Sequence, residues 1–236
     1  MRAVLLTGGI YHDFGAMSAA TAGMLATAGL AVEIVRTPGA LVAALSRAPA
    51  DLLVVQALHW RMRGDDKYAP FRDEWAYETG GDLIAAVGAH AARAGVLALH
   101  TGCLCFDDWD GWPAILGGSW VWGRSFHTPG LEAVRVTPSA DHPAVAGLAP
   151  FTVTDEHYRD LALRPGATVL AQGEAAGVAH PVAHPVAWAR EGGGFAGRAV
   201  TLTTGHDLAS LTEPGQARLI RRAALWAVER DGEGRA

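Results

Sequence analysis

The first 100 positions alternate short apolar runs with stretches of helical composition, and this alternation limits the fold more than any other feature. The apolar runs cover residues 3–7, 31–35, 51–56 and 96–100, and the helical stretches cover residues 15–28, 38–47 and 82–93. Strands that alternate with helices in this way form parallel sheets, because each helix crosses over the sheet in a right-handed connection. The sequence therefore predicts an α/β fold built on a mainly parallel sheet.

The alternation stops after residue 100, where several β-like pieces follow a short helix near residues 109–116. These pieces cover residues 133–137, 151–155, 167–171 and 185–190. Their spacing predicts antiparallel strands added to one side of the sheet, over residues of about 130–190. A buried run at 198–204 and a helix that starts near residue 212 follow them. We expect a single domain over residues 1–229, followed by a tail at 230–236.

Composition excludes several classes of partner. The net charge is −5 and Lys67 is the only lysine, so the chain is not suited to nucleic acid or to an anionic membrane surface. No apolar run reaches membrane-spanning length, and the first residues show no signal-peptide pattern. The two cysteines, Cys103 and Cys105, are poorly placed to bridge each other, which fits a reducing compartment. We expect a cytoplasmic protein, and the sequence leaves a homo-oligomer open.

Polar residues collect just beyond the ends of the predicted strands. They are His12, Asp13, His59, His100, His206 and Asp207. Ligands of open parallel sheets bind beyond the carboxyl ends of the strands, and histidine can exchange protons near neutral pH. The grouping predicts a functional cleft, although polar loops also produce such groupings by chance.

A group of tryptophans and aspartates occupies the segment FDDWDGWPAILGGSW at residues 106–120. Trp109 and Trp120 are the members that we expect to shape a pocket. Aromatic rings can cover the C–H face of a sugar while carboxylates accept hydrogen bonds from its hydroxyls. Packing of this segment onto the sheet explains the tryptophans equally well.

Asp155 and Glu156 end another strand-like run, and Tyr158 follows them. Neighbouring side chains on a strand point to opposite faces. We therefore expect only one of the two carboxylates to face a cleft.

No motif predicts a cofactor. Gly8 and Gly9 do not have the G-x-G-x-x-G spacing of a nucleotide site, and Cys103 and Cys105 lack the C-x-x-C spacing of many zinc sites. Burial as free thiols is the expected fate of both cysteines. A divalent metal such as zinc remains an open alternative, with ligands drawn from the polar residues beyond the strand ends.

Seven sequence blocks, spread through most of the chain, carry a resemblance to a known family. They are TGGIYHDF, LALHTG, FDDWDGWPAILGGSW followed by His127, DHPAVAGL, FTVTDEHY, HPVAWARE and GRAVTLTTGHD. In this order and spacing the chain resembles the ThuA-like (trehalose-utilisation) family. The resemblance implies a class I glutamine amidotransferase-like fold, which is flavodoxin-like with three layers and helices on both faces of the sheet. It also implies a role in carbohydrate metabolism.

The resemblance does not extend to glutamine hydrolysis. Amidotransferases of this fold place a nucleophilic cysteine at the turn after the strand that corresponds to residues 96–100. Here His100 occupies that position, and Cys103 and Cys105 lie beyond the turn. No Cys-His-Glu triad can be placed in the expected order.

We therefore expect acid/base chemistry, of an isomerase or hydrolase type, on a disaccharide, a glycoside or a keto-sugar. The candidate catalytic residues are His100, His206, Asp155 and Glu156. The candidate substrate-binding residues are His12, Asp13, Tyr158, Trp109, Trp120, His127 and Asp207. Two alternatives stay open: a non-catalytic sugar-binding or accessory protein that uses the same cleft, and a metal-dependent hydrolase.

Overall fold

A computed structural model describes residues 1–139, 141–192 and 197–229 of the chain. The expected tail at 230–236 lies outside the described residues. The strands of the described part are, in chain order, β1 (Arg2–Gly8), β2 (Ala31–Val35), β3 (Leu52–Ala57), β4 (Gly95–Leu99), β5 (Gly118–Ser119), β6 (Glu132–Pro138), β7 (Phe151–Asp155), β8 (Ala162–Leu163), β9 (Ala167–Ala175), β10 (His184–Arg190) and β11 (Ala199–Leu202).

Nine of these strands form one sheet in the order β2-β1-β3-β4-β11-β10-β9-β6-β7, while β5 and β8 pair separately. The first five strands of this order are parallel. Numbered by their place in the chain, they run 2-1-3-4-5, which is the strand order of flavodoxin-like folds. The remaining four strands continue the sheet in antiparallel pairs. The expected parallel sheet and its antiparallel extension are both confirmed.

The helices of the described part are α1 (Phe14–Thr27), α2 (Pro38–Arg47), α3 (Arg72–Trp75), α4 (Gly81–Ala91), α5 (Gly111–Leu116), α6 (Leu208–Thr212) and α7 (Pro214–Val228). Two 3-10 turns cover Asp66–Phe71 and His100–Leu104. Short polar side chains set several helix starts, because they accept N–H groups that the first turn leaves unpaired. Thr37 accepts the N–H of Ala40 in α2, and Asp13 and Asp207 cap α1 and α6 in the same way.

Side chains alternate between the two faces of the central strands and form two separate cores. On one face, Val4 and Leu6 of β1 pack with residues of α2, α4 and α5. On the other face, Ala3 and Leu5 pack with residues of α1 and α7. The helices therefore lie on both sides of the sheet, and the expected three-layer arrangement is confirmed.

The curvature of the sheet brings its antiparallel edge back towards the parallel half. β7 lies four places from β11 in the strand order, yet it contacts α6 and α7, which follow β11 in the chain. Twist accumulates across a sheet of this size, so its edge strand does not stay in the plane of the centre. The carboxyl end of β7 therefore lies beside the loop that follows β11.

Gly102 fits into the turn after β4 only because it has no side chain. An added Cβ would meet the carbonyl oxygen of Val55 in β3. We predict that Gly102→Ala lowers the free energy of unfolding by about 1–3 kcal/mol, because the neighbouring strand must shift to admit the methyl group. Equilibrium urea unfolding measures this change.

The matched control is Gly88→Ala in the interior of α4, where an added Cβ meets nothing within 4 Å. This variant should gain about 0.5–1 kcal/mol of stability. Equal unfolding midpoints for the two variants would show that the close approach at Gly102 does not exist in solution.

Candidate functional site

Three imidazoles and one carboxylate meet at the carboxyl edge of the sheet. One ligand atom from each of His12, His100, Glu156 and His206 lies within 4.8 Å of the others. The ring centroid of His12 lies 5.1 Å from that of His100 and 4.7 Å from that of His206. We call these four residues the His-Glu cluster. It joins the loops after β1, β4, β7 and β11.

His100 lies at a sharp turn directly after β4. Its backbone has a φ of +48°, a conformation that few non-glycine residues adopt. Its Nδ1 is 2.7 Å from the carbonyl oxygen of Thr203, and a carbonyl can only accept, so Nδ1 carries the proton. In the neutral ring Nε2 then offers a lone pair. This atom lies 2.9 Å from the hydroxyl of Tyr158 and 3.5 Å from Oε2 of Glu156.

His12 has the same kind of backbone partner. Its Nδ1 lies 3.1 Å from the carbonyl oxygen of Ile10 and donates to it. Its Nε2 is buried and has no hydrogen-bond partner among the described residues. Burial, reinforced by the nearby His100 and His206, lowers the pKa of His12 to about 4. His12 is therefore neutral at physiological pH and holds an unused lone pair inside the cluster.

Glu156 supplies the negative charge of the cluster. Its Oε2 lies 3.3 Å from Nδ1 of His206, and its Oε1 lies 3.7 Å from Nδ1 of His127. Burial opposes ionisation of Glu156, but the close approach of His100 and His206 outweighs it and holds the pKa of this carboxyl well below its usual range. The hydrogen bond with Glu156 also raises the pKa of His206.

Asp155 points away from the cluster, as expected for the neighbour of Glu156 on a strand. Its side chain is fully buried. Its Oδ2 accepts the backbone N–H of Gly205 at 2.6 Å and the hydroxyl of Ser210. Asp155 therefore fixes the loop that carries His206, whereas Glu156 lies in the cluster.

Two further predicted site residues serve as helix caps. Asp13 and Asp207 accept backbone N–H groups at the starts of α1 and α6. His59, the remaining histidine of the predicted cleft, is buried outside the cluster near Trp75. Burial lowers its pKa to about 4.

A cavity of about 350 Å³ opens above the His-Glu cluster. It is lined by Tyr158, Trp120 and His127, which are among the predicted site residues, and by Trp60, Lys67, Tyr68 and Trp122, which are not. A signal for Lys67 existed, since it is the only lysine and lies in a charged loop. Trp109 lies outside this cavity and lines a second one.

The two cysteines do not take part in the cluster. Both are free and buried, and burial raises the pKa of each thiol to about 12. The nucleophile is the thiolate, so neither side chain is reactive near neutral pH.

The His-Glu cluster has the chemistry of a metal-ligand set. Three imidazole nitrogens and a carboxylate oxygen suit divalent transition metals. Metal-bound histidines also donate their second ring nitrogen to a carbonyl or carboxylate, as His12 and His100 do here. Among the described residues this is the one group of histidine, cysteine and acidic side chains with such geometry.

Fold and site together define the class: a flavodoxin-like α/β domain with a histidine and carboxylate cluster beyond its strand ends. The profile of the ThuA family, described as trehalose utilisation, matches residues 85–227. The chain belongs to this family. No curated protein sequence matches it significantly.

Solved structures share the fold. A ThuA-like protein from Parabacteroides merdae has a TM-score of 0.74 at 17% identity, with 97% of this chain and 90% of that one covered. A cytoplasmic protein from Salmonella typhimurium has a TM-score of 0.61 at 12% identity, covering 95% and 98%. A second cytoplasmic protein, from Salmonella typhimurium LT2, has a TM-score of 0.58 at 14% identity, with 96% of this chain and 97% of that one covered. Among the described residues, no helix combines the length and apolarity needed to cross a membrane.

We predict that Asp155→Ala lowers the free energy of unfolding by about 2–4 kcal/mol, because it leaves the N–H of Gly205 and the hydroxyl of Ser210 buried without an acceptor. Urea unfolding measures this loss. Asp13→Ala removes an exposed cap and serves as the control, with a loss of about 1 kcal/mol. A loss for Asp155→Ala no larger than that of the control would contradict the role assigned to this carboxylate.

Proposed function

We propose that this chain is a metal-dependent enzyme of carbohydrate metabolism, in which the His-Glu cluster holds one divalent ion. The observation that carries the proposal is the convergence of four ligand groups within 4.8 Å beneath an open cavity. The neutral state of His12 supports it, because an imidazole must be unprotonated to bind a metal.

The four ligand groups must draw together to accept an ion. Nitrogen and oxygen ligands of zinc lie ~2.0–2.2 Å from the metal, so two ligand atoms of a tetrahedral site are ~3.4 Å apart. The four groups lie within 4.8 Å of one another, and side-chain rotations that move each ligand atom by roughly 1 Å would close the difference. Zinc, manganese and iron(II) are the ions that this mixed nitrogen and oxygen set suits best.

The cavity supports a sugar as the substrate. Indole rings of Trp60, Trp120 and Trp122 and the hydroxyl of Tyr158 line it. Such rings pack against the C–H face of a sugar, and hydroxyls exchange hydrogen bonds with it. The family description, trehalose utilisation, points to the same class of compound. A disaccharide, a glycoside or a keto derivative fits this description.

A bound ion would polarise a hydroxyl or carbonyl oxygen of the sugar. Tyr158 supplies the second element of the chemistry. Its hydroxyl donates to Nε2 of His100, because Nδ1 of that ring carries the proton. With Nε2 of His100 held as a metal ligand, this hydroxyl would lose its acceptor and would be free to donate to a sugar oxygen. The chemistry proposed is therefore acid/base catalysis of an isomerase or hydrolase type.

A metal-free reaction is the second candidate. Oε2 of Glu156 lies close to both His100 and His206, and such a carboxylate and imidazole pair can transfer protons without an ion. Turnover by a chelated preparation that contains no metal would favour this candidate. Sugar binding without any conversion would instead favour an accessory role for the same cleft.

Metal binding is tested on protein purified without a histidine tag and dialysed against a chelator. Titration with Zn²⁺ or Mn²⁺ by calorimetry should show one ion per chain. His12→Ala should weaken this affinity by at least about 100-fold. Removal of a residue that only hydrogen-bonds to a metal ligand already lowers the affinity ~10–100-fold, and removal of the ligand itself costs more. His180→Ala, at an exposed histidine outside the cluster, should leave it unchanged. A wild-type chain that binds no ion refutes the metal centre.

Tyr158→Phe should lower kcat by about 10²-fold or more, because a positioned proton donor contributes ~10²–10⁴-fold. Ion affinity should be retained. Turnover is measured on a panel of disaccharides, glycosides and their keto derivatives, by product analysis. Tyr77→Phe, at a partly buried tyrosine that does not line the cavity, is the control. Full activity of Tyr158→Phe would remove this hydroxyl from the mechanism.

A further inference from the structure

Of the tryptophan and aspartate segment at residues 106–120, only Trp120 lines the cavity above the His-Glu cluster. Trp109, Asp107 and Asp110 instead line a second cavity of about 420 Å³, between residues 61–64 and residues 103–122. Its volume falls in the ~300–1,000 Å³ range of small-molecule sites. The segment therefore has a ligand-sized space of its own.

The two cavities have a common wall. Leu104, Trp120 and Trp122 line both of them. Trp60 stacks on Trp122, with the ring planes 9° apart and the centroids separated by 5.7 Å. With Trp60 against it, the Trp122 side chain is still 37% exposed. The part of the Trp122 indole that Trp60 leaves uncovered can therefore contact a ligand that reaches from one cavity to the other.

Trp109 is held in place at the second cavity. Gly111 packs directly under its indole, and any side chain at that position would collide with the ring. The ring is only partly buried, so part of its surface faces the cavity. A fixed aromatic surface loses little conformational freedom when a ligand stacks on it.

The polar groups at this cavity suit an uncharged ligand. Arg61 contacts Asp107 at 3.1 Å, and the backbone N–H of Arg61 donates to the same carboxylate at 2.9 Å. Arg63 is paired with Glu78. Since both arginines are neutralised by carboxylates, the cavity is a poor site for phosphate, whereas hydroxyl groups can bond to these fixed ions.

We propose that the second cavity is a subsite for a neutral pyranose ring, the second ring of a disaccharide or glycoside whose first ring occupies the cavity above the His-Glu cluster. The inference rests on the proposed function, because it takes that cavity to be the reaction site. The subsite specifies that the substrate has a second ring and that this ring is uncharged, and the His-Glu cluster specifies neither property.

Calorimetry with trehalose and with glucose, on the metal-loaded protein, tests the subsite. Wild type should bind trehalose more tightly than glucose. Trp109→Ala should weaken trehalose binding by roughly two- to tenfold, the range for one aromatic contact, and leave glucose binding unchanged. Asp110→Ala, at an exposed position whose side chain makes no capping hydrogen bond to the helix after it, should reduce the trehalose preference as well. Trp75→Ala, outside both cavities, is the matched control and should preserve that preference.

If Trp109→Ala lowers the affinities for trehalose and glucose equally, or lowers neither, the subsite is overturned. The same holds if wild type shows no preference for trehalose or binds neither sugar. Failure of the metal centre is a separate result: a trehalose preference that depends on Trp109 in protein unable to bind Zn²⁺ or Mn²⁺ would support the subsite while refuting the ion.

Discussion

A single buried carboxylate connects the antiparallel edge of the sheet to its parallel centre. Asp155, the last residue of β7, holds the backbone of Gly205 and the hydroxyl of Ser210 in the segment after β11. Burial of this group is costly unless it is hydrogen-bonded, so the contact fixes the position of both segments. Glu156 reaches the three histidines because its neighbour is anchored in this way.

The parallel half of the fold could be predicted from the sequence, because buried strands and connecting helices leave a periodic apolar pattern. The positions of His100 and His206 followed from it, since each lies in the segment that follows a strand. Which of the two carboxylates, Asp155 or Glu156, contacts them could not be predicted. It depends on how strongly nine strands curve, and no local pattern encodes that. Asp13 and Asp207 show another limit of the sequence. A carboxylate that follows a strand can either cap the next helix or contact a ligand, and the sequence pattern is the same in both cases.

The turn after β4 places an imidazole in the His-Glu cluster, while the two cysteines that follow it are buried. The strained φ of His100 accompanies a ring that lies in the His-Glu cluster, and the bond to the carbonyl of Thr203 holds the ring there. Strain of this kind persists where the surroundings enforce it. The same backbone geometry thus presents an imidazole lone pair, which suits coordination, instead of a thiol, which would suit acyl transfer.

The pairing of β6 with β7 determines which acidic side chain faces the His-Glu cluster. Val134 lies opposite Val153, and this register makes Val153 and Asp155 face the helices while the next residue turns the other way. A slip of one residue would exchange the two faces. Glu156 would then enter the interior and Asp155 would replace it, with a side chain shorter by one methylene. The register of β6 with β7 therefore determines which of the two acids faces the cavity.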